Sequence, residues 1–565
     1  MLVAEAVAGA LAGLGADTVF GVVGSGNFHL TNALIAHGAR FVAARHECGA
    51  ASMADGWARL TGRPGLVSVH QGPGFTNALT GITEAAKSRT PLVVLAADVS
   101  AASVRSNFRI GVEAIAAGIG AVPERLHSPQ SAVDDAVRAY LTAARQRRTV
   151  VLALPLDVQA APWEPGRARP GPEPAAPGPG PEPAPPGPAP DAVAALAEAL
   201  TGARRPVFVA GRGARVASAR EDLERLAGLC GALLATSAAA KGLFRGSPWD
   251  LDVSGGFATP LAAELIGAAD LIVGWGCSLN MWTMRHGTLI GPGCRVVQVD
   301  DDAAAIGAHR PVQLGVLGDV ALTARAVAEA LSGVSGRDAR PESSGRAGYR
   351  SAQVRERIAA QGRWRDVRYD DDSEADRIDP RTLSTGLDDL LPADRIVAVD
   401  SGNFMGYPSM FLSVPDEQGF CFTQAYQSVG LGLASAIGSA VARPDRLTVA
   451  ALGDGGALMG VSELETVVRL GLPMVIVVYN DDAYGAEVHH FRPDGHPLGT
   501  VTFPPADLAS IGRGFGCDGV TVRRREDLDQ VRAWLAGPRE RPLVIDAKVT
   551  GRRGSWWLEE AFRGH

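Results

Sequence analysis

"ALGDGGALMGVSELETVVRLGLPMVIVVYNDDAYG", Ala451 to Gly485, puts Gly-Asp-Gly after one apolar run and Asn-Asp-Asp after the next, one helix length further on. The runs "LTVAAL" and "MVIVVY" are short, apolar and bounded by polar or glycine residues, which predicts buried parallel strands with a helix between them. In open sheets of that kind a ligand sits beyond the carboxyl ends of the strands, where glycines let the backbone approach a phosphate. Gly453, Gly455 and Gly456 fit that role. Asp454 does not, because a carboxylate facing a phosphate repels it unless a divalent cation lies between. Asn480, Asp481 and Asp482 add hard oxygen donors of the kind magnesium takes, so the stretch implies a metal-bridged anion.

The same strand and helix alternation recurs along the whole chain. At 565 residues more than one core is expected. "GLVSVH", "PLVVLAAD" and "TVVLALPL" come first, "PVFVAG", "DLIVGWG" and "CRVVQVD" follow, and "RIVAVD", "LTVAAL", "MVIVVY" and "LVIDAKV" close the series. Two polar stretches divide them: a proline-rich segment from Pro162, which suits a partly extended spacer, and "SGVSGRDARPESSGRAGYR" with "RYDDDSEADRIDP". The expected organisation is α/β, three doubly wound parallel-sheet domains at 1–161, 191–333 and 379–565, with linkers at 162–190 and 334–378.

Composition narrows the partners. The hydrophobic fraction is 46%, the charged fraction 20% and the net charge -7, so no basic field favours nucleic acid or a membrane surface. Glu5 interrupts the Ala-rich start, which reads as an amphipathic helix and not a signal peptide. Six scattered cysteines without a CxxC argue against a zinc site and a disulfide framework, so a cytoplasmic protein with reduced thiols is expected.

Gly-Asp-Gly, about two dozen residues, then Asn-Asp resembles the thiamine diphosphate motif. The resemblance implies a magnesium ion held by Asp454, Asp481 and the carbonyl of Ala483, with Tyr484 and Gly485 completing the loop; Asp481 stands where many members have Asn. "RHECGAASMADGWARL" with "GPGFTN" looks like the pyrimidine-binding part of the same family. Glu47 would there be buried, bind the pyrimidine ring and drive deprotonation of the thiazolium. In "QAYQSVGLGLASAIG" Val429 would bend the cofactor and Gln427 accept its amino group, while "DSGNF" supplies Gly402, Asn403 and Phe404 near the diphosphate.

The branch implied is that of acetolactate synthase, pyruvate decarboxylase and benzoylformate decarboxylase. Its shared reaction is decarboxylation of a 2-oxo acid to an enamine, which takes a proton, an aldehyde or a second 2-oxo acid. Active sites in that branch lie between subunits, so a homodimer or homotetramer is implied, with Glu47 serving a partner chain. Ser25, His70 and Gln71 are candidate catalytic residues, His70 standing where benzoylformate decarboxylase has a histidine. Asn27, His29, Glu487, His489 and His490 are candidate substrate contacts, and the Gln-Trp acceptor motif of acetolactate synthases is missing from "NDDAYGAEVHHFRPDG". A benzoylformate decarboxylase-like nonoxidative decarboxylase and a non-catalytic cofactor binder are the alternatives. Acetolactate synthases bind FAD in the central domain; the glycine turns in "VAGRGAR" and "GWGCSLN" alone favour an empty domain over FAD.

Overall fold

The computed structural model describes residues 1–164, 184–334 and 348–558. Most of the proline-rich spacer and part of the second linker therefore lie outside the described residues. Three six-stranded parallel sheets follow one another along the chain. The first holds Thr18–Gly21 (β1), Arg40–Ala43 (β2), Gly65–Val69 (β3), Leu92–Asp98 (β4), Val122–Arg125 (β5) and Thr149–Pro155 (β6). The second holds Pro206–Ala210 (β7), Leu233–Thr236 (β8), Asp250–Val253 (β9), Leu271–Trp275 (β10), Arg295–Asp300 (β11) and Leu314–Leu317 (β12). The third holds Arg395–Val399 (β13), Phe420–Phe422 (β14), Leu447–Gly453 (β15), Val475–Asn480 (β16), Asp518–Val522 (β17) and Leu543–Lys548 (β18).

Central strands such as β4 and β16 are buried along their whole length, because helices cover both sheet faces; this is why they read as unbroken apolar runs. The first sheet runs β2-β1-β3-β4-β6-β5 and the third β14-β13-β15-β16-β18-β17, the same order. The middle sheet runs β12-β11-β10-β7-β8-β9, the order of a dinucleotide-binding sheet. The middle sheet reverses its direction of growth once, between β7 and β10; the first and third reverse between β1 and β3 and between β13 and β15, and again at the far edge, where β6 and β18 insert inside β5 and β17.

The first and third domains share one core. Helix Glu47–Thr61 lies against helix Gly432–Ala442, both rich in Gly, Ala and Ser. Small residues bring the two backbones together: a β-carbon on Gly56 would run into the Ser435 carbonyl, and one on Gly438 into the Met53 carbonyl.

The expected linker at 334–378 is partly folded. Helix Ala352–Gln361 packs Val354 and Ile358 onto the central domain, and Tyr349 donates to the Leu265 carbonyl at 2.8 Å. Trp364 packs into the third domain's core. Few apolar anchors in a polar, glycine-containing stretch hide these elements from a periodicity reading.

Candidate active site

A cavity of about 1000 Å³ opens at the carboxyl ends of β13, β15 and β16 and continues over the middle sheet. Gly402, Asn403, Phe404, Gln427, Val429, Gly453, Asp454, Gly455, Gly456, Asp481, Ala483, Tyr484 and Gly485 all line it. The loops are adjacent because β15 pairs with β16, with Gly453 beside Tyr479. Burial, opposed by the Gly455 amide, pushes Asp454 up to about 6; burial and then the Asp454 charge push Asp481 up to about 7. Two half-buried carboxylates that repel each other are stabilised by a cation placed between them. Among the described residues no group of three or more His, Cys, Asp and Glu side chains could hold a metal, so further ligands would come from a bound anion or water.

Two of the expected oxygen donors are engaged elsewhere. Asn480 is fully buried and donates to Asp546 at 2.9 Å. Asp482 pairs with Arg377 at 2.6 Å. Asp481 alone of the three reaches the cavity.

The loop carrying Gln427 and Val429 is conformationally unusual. Gln427 has φ 59° and Gly430 φ 93°, both left-handed. Asp400, at the end of β13, accepts the Gly430 amide at 3.0 Å and the Leu431 amide at 3.2 Å, and burial pushes it up to about 6. Sequence reasoning missed Asp400; a carboxylate directly after a buried strand was its signal.

A second constellation lies at the reversal point of the first sheet. His70 follows β3, and the Gly26 amide donates to its Nδ1 at 3.1 Å, leaving Nε2 to carry the hydrogen of the neutral ring. A β-carbon on Gly74 would stand 3.1 Å from His70 Cβ and 3.5 Å from Glu47 Oε1, so both side chains flank the first turn of helix Pro73–Lys87. Glu47 is half-buried in the single chain, not buried as expected, and accepts from Asn77 at 3.1 Å. Gln71 is buried with its Oε1 unpartnered. Ser25 is exposed in the same loop cluster. Asn27 points inward: it accepts the Gly24 amide and donates to Val22 and Ser68, which fits it to hold the loop and not to meet a substrate. His29 is exposed on the following helix, against Phe28. Glu47 and His70 do not line the large cavity of their own chain. Glu487 does, whereas His489 and His490 stand outside its wall.

Family models match all three domains: the N-terminal TPP binding domain of thiamine pyrophosphate enzymes at residues 1–126, their central domain at 193–327 and their C-terminal TPP binding domain at 400–547. The chain belongs to the thiamine pyrophosphate enzyme family. A Probable 2-ketoarginine decarboxylase of Pseudomonas aeruginosa is 32% identical over 93% of this chain and 90% of its own. An acetolactate synthase large subunit of Parasynechococcus marenigrum is 30% identical over 98% and 88%, and a sulfoacetaldehyde acetyltransferase of Castellaniella defragrans 26% over 98% and 92%. This thiamine pyrophosphate enzyme therefore keeps all three domains of its relatives. Among its described residues no helix is long and apolar enough to cross a membrane, and all six cysteines are free thiols.

Proposed function

We propose that the protein is a magnesium- and thiamine diphosphate-dependent decarboxylase of 2-oxo acids that can also ligate the product to an aldehyde. The observation that carries the reading is the pair of half-buried, mutually repelling carboxylates Asp454 and Asp481 beside the glycine loop of one cavity. These two groups and the Ala483 carbonyl would hold the cation, and Gly453, Gly455 and Gly456 would leave the diphosphate room at the backbone. Gln427 and Val429 would fix the bend of the cofactor. The bound coenzyme supplies a carbon nucleophile that adds to the substrate carbonyl and holds the electrons released with carbon dioxide.

Glu47 would hold a proton on the pyrimidine ring, and His70, through Nε2, would pass one to or from the reacting carbonyl. Both belong in this reading to the partner's cavity, so the working unit is a homodimer or a pair of them. Exposed apolar side chains support that arrangement: Val23 and Phe28 flank the Ser25 loop and Phe108 packs edge-on against His70, while exposed Val429 and Met459 line the cavity that holds the carboxylates. Free thiols throughout favour the cytoplasm.

Simple decarboxylation is the step favoured by His70 and by the missing Gln-Trp acceptor motif. Glu487, an exposed carboxylate on the cavity wall, would attract a cationic substrate tail, and the 2-ketoarginine decarboxylase relative makes a basic 2-oxo acid the first donor to try. Loaded enzyme is given aliphatic, aryl and basic 2-oxo acids, with and without an aldehyde. Carbon dioxide release from at least one donor supports the reading; a hydroxyketone with aldehyde establishes ligation. No release from any donor by cofactor-loaded protein would favour the non-catalytic cofactor binder.

The cavity's far end lies at the reversal point of the middle sheet, between Gly211 after β7 and Gly276 after β10. Burial, then neighbouring Arg89, Arg59 and Arg147, push Arg212 there down to about 10, the environment of an anion site. A nucleotide, FAD included, is the ligand such a site would take if the central domain is not empty. Nucleotide released by denaturing the purified protein, identified by mass spectrometry, tests it.

A further inference from the structure

The shared core of the first and third domains contains two buried glutamates that the proposed chemistry does not use. Glu84, on helix Pro73–Lys87, is 1% exposed, and Glu463, opening helix Glu463–Arg469, is 2% exposed. Each reaches across the domain boundary to backbone amides. Glu84 accepts from the Ala425 amide at 3.1 Å and the Tyr426 amide at 2.7 Å, in the loop after β14. Glu463 accepts from the Arg45 amide at 3.1 Å and the His46 amide at 3.0 Å, in the loop after β2.

The two contacts are counterparts. Because the sheets share one strand order, β2 corresponds to β14 and β3 to β15. Each glutamate lies in the segment after its own domain's third strand and grips the loop after the other domain's second strand. Those loops lead into the paired helices Glu47–Thr61 and Gly432–Ala442. Glu47 directly follows the amides held by Glu463, and Gln427, with its left-handed backbone, directly follows those held by Glu84.

We propose that Glu84 and Glu463 are reciprocal positioning residues: each carboxylate sets, from the other domain, the loop that presents one half of the cofactor-binding machinery. The inference rests on the proposed roles of Glu47, Gln427 and Val429. The loop at 425–431 is gripped from both ends, by Glu84 before Gln427 and by Asp400 after Val429. A left-handed glutamine between two carboxylate grips has no freedom to relax. Arg59 compensates the Glu84 charge at 2.9 Å and donates to the Phe422 carbonyl at the start of the same loop, so the grip includes its own counter-ion.

The donor pattern makes the variants unequal. In Glu84→Gln one oxygen becomes an amide that must face either a backbone amide or Arg59, donor against donor. Glu463 Oε1 accepts both amides at 3.1 and 3.0 Å, while its Oε2 accepts the Thr466 hydroxyl at 2.7 Å and the Arg45 amide only at 3.3 Å. Glu463→Gln can keep Oε1 in place and donate to that hydroxyl, whereas Glu463→Ala loses the grip. Ser88→Ala removes a neighbour of Glu84 that does not touch the loop.

The test is the rate at which the hydrogen on the reactive thiazolium carbon of bound thiamine diphosphate exchanges with deuterium, measured by quenched NMR with cofactor and magnesium saturating. Glu84→Gln and Glu463→Ala should slow exchange by about ten-fold or more, while Glu463→Gln and Ser88→Ala stay within about three-fold of the unaltered protein. Wild-type exchange rates in Glu84→Gln and Glu463→Ala, with only their thermal midpoints lowered, would overturn the proposal and leave a purely structural role. Failure of the unaltered protein to bind the cofactor or exchange its hydrogen would instead sink the proposed function. Should the variants not fold, amide hydrogen exchange in the unaltered protein decides: protection at Arg45, His46, Ala425 and Tyr426 above that of Ser428 supports the grip, and open-loop rates at all four overturn it.

Discussion

Asp454 and Asp481 carry a cost in the metal-free protein that a bound cation would remove. Both rise on folding from the usual 3.8, to about 6 and about 7, so the folded chain binds protons that the unfolded chain has lost. Metal-free protein should therefore lose stability as pH rises from about 4 to about 7, and stay level above that window. Protons and magnesium compete for the same oxygens, so magnesium titrations monitored by thermal midpoint should show weaker binding at about pH 5.5 than at about pH 8. A magnesium effect that does not grow with pH would exclude these two groups as its ligands. Glu47→Gln should retain cofactor, measured by calorimetry, and lose turnover by about 10²-fold or more, because the proton-holding carboxyl is gone and the metal site is untouched. Asp454 and Asp481 could be named as candidates from the sequence because their spacing to glycines and strand ends is short and local, and Glu47 because its surroundings resemble the family's. Glu84 and Glu463 were not, since their meaning lies in amides brought to them by folding, up to 418 residues away.

At the scale of elements, the helix pair Glu47–Thr61 and Gly432–Ala442 is the joint on which both half-sites are mounted. Backbone contact at Gly438 leaves no volume for a methyl group, and the carbonyl it meets cannot swing away as a side chain would. Gly438→Ala should cost about 1–3 kcal/mol of stability, read as a lower denaturation midpoint. A neutral result would mean that the helices separate freely. Strands β4, β15, β16 and β18 were legible as apolar runs, because sheets covered on both faces erase the alternation and leave continuous hydrophobicity. Helix Ala352–Gln361 was hidden because only Val354 and Ile358 anchor it among charged residues.

For the whole molecule, the repeated strand order of the first and third domains puts two unlike half-sites at equivalent reversal points. One holds Glu47 and His70, the other the carboxylate pair, and in a single chain they do not share a cavity. Exposed Phe28 and Phe108 on one side and Met459 and Tyr426 on the other give the two faces a reason to meet in a second copy. Light scattering should find a dimer or tetramer and no stable monomer at micromolar concentration. That the chain holds three α/β domains was legible from its apolar runs and the polar stretches between them, but which half-site faces which could not be read from one chain's sequence, because in this account it is a property of the assembly.

Mixing two inactive variants tests the central claim most directly. Glu47→Gln and Asp454→Asn subunits, unfolded together in equal amounts and refolded, form mixed dimers in about half of cases. If Glu47 serves the partner's carboxylate pair, each mixed dimer has one doubly altered site and one intact site, and activity returns to about a quarter of the unaltered level. If Glu47 serves its own chain, every site carries one lesion, and a mixture as inactive as its parents would contradict the account.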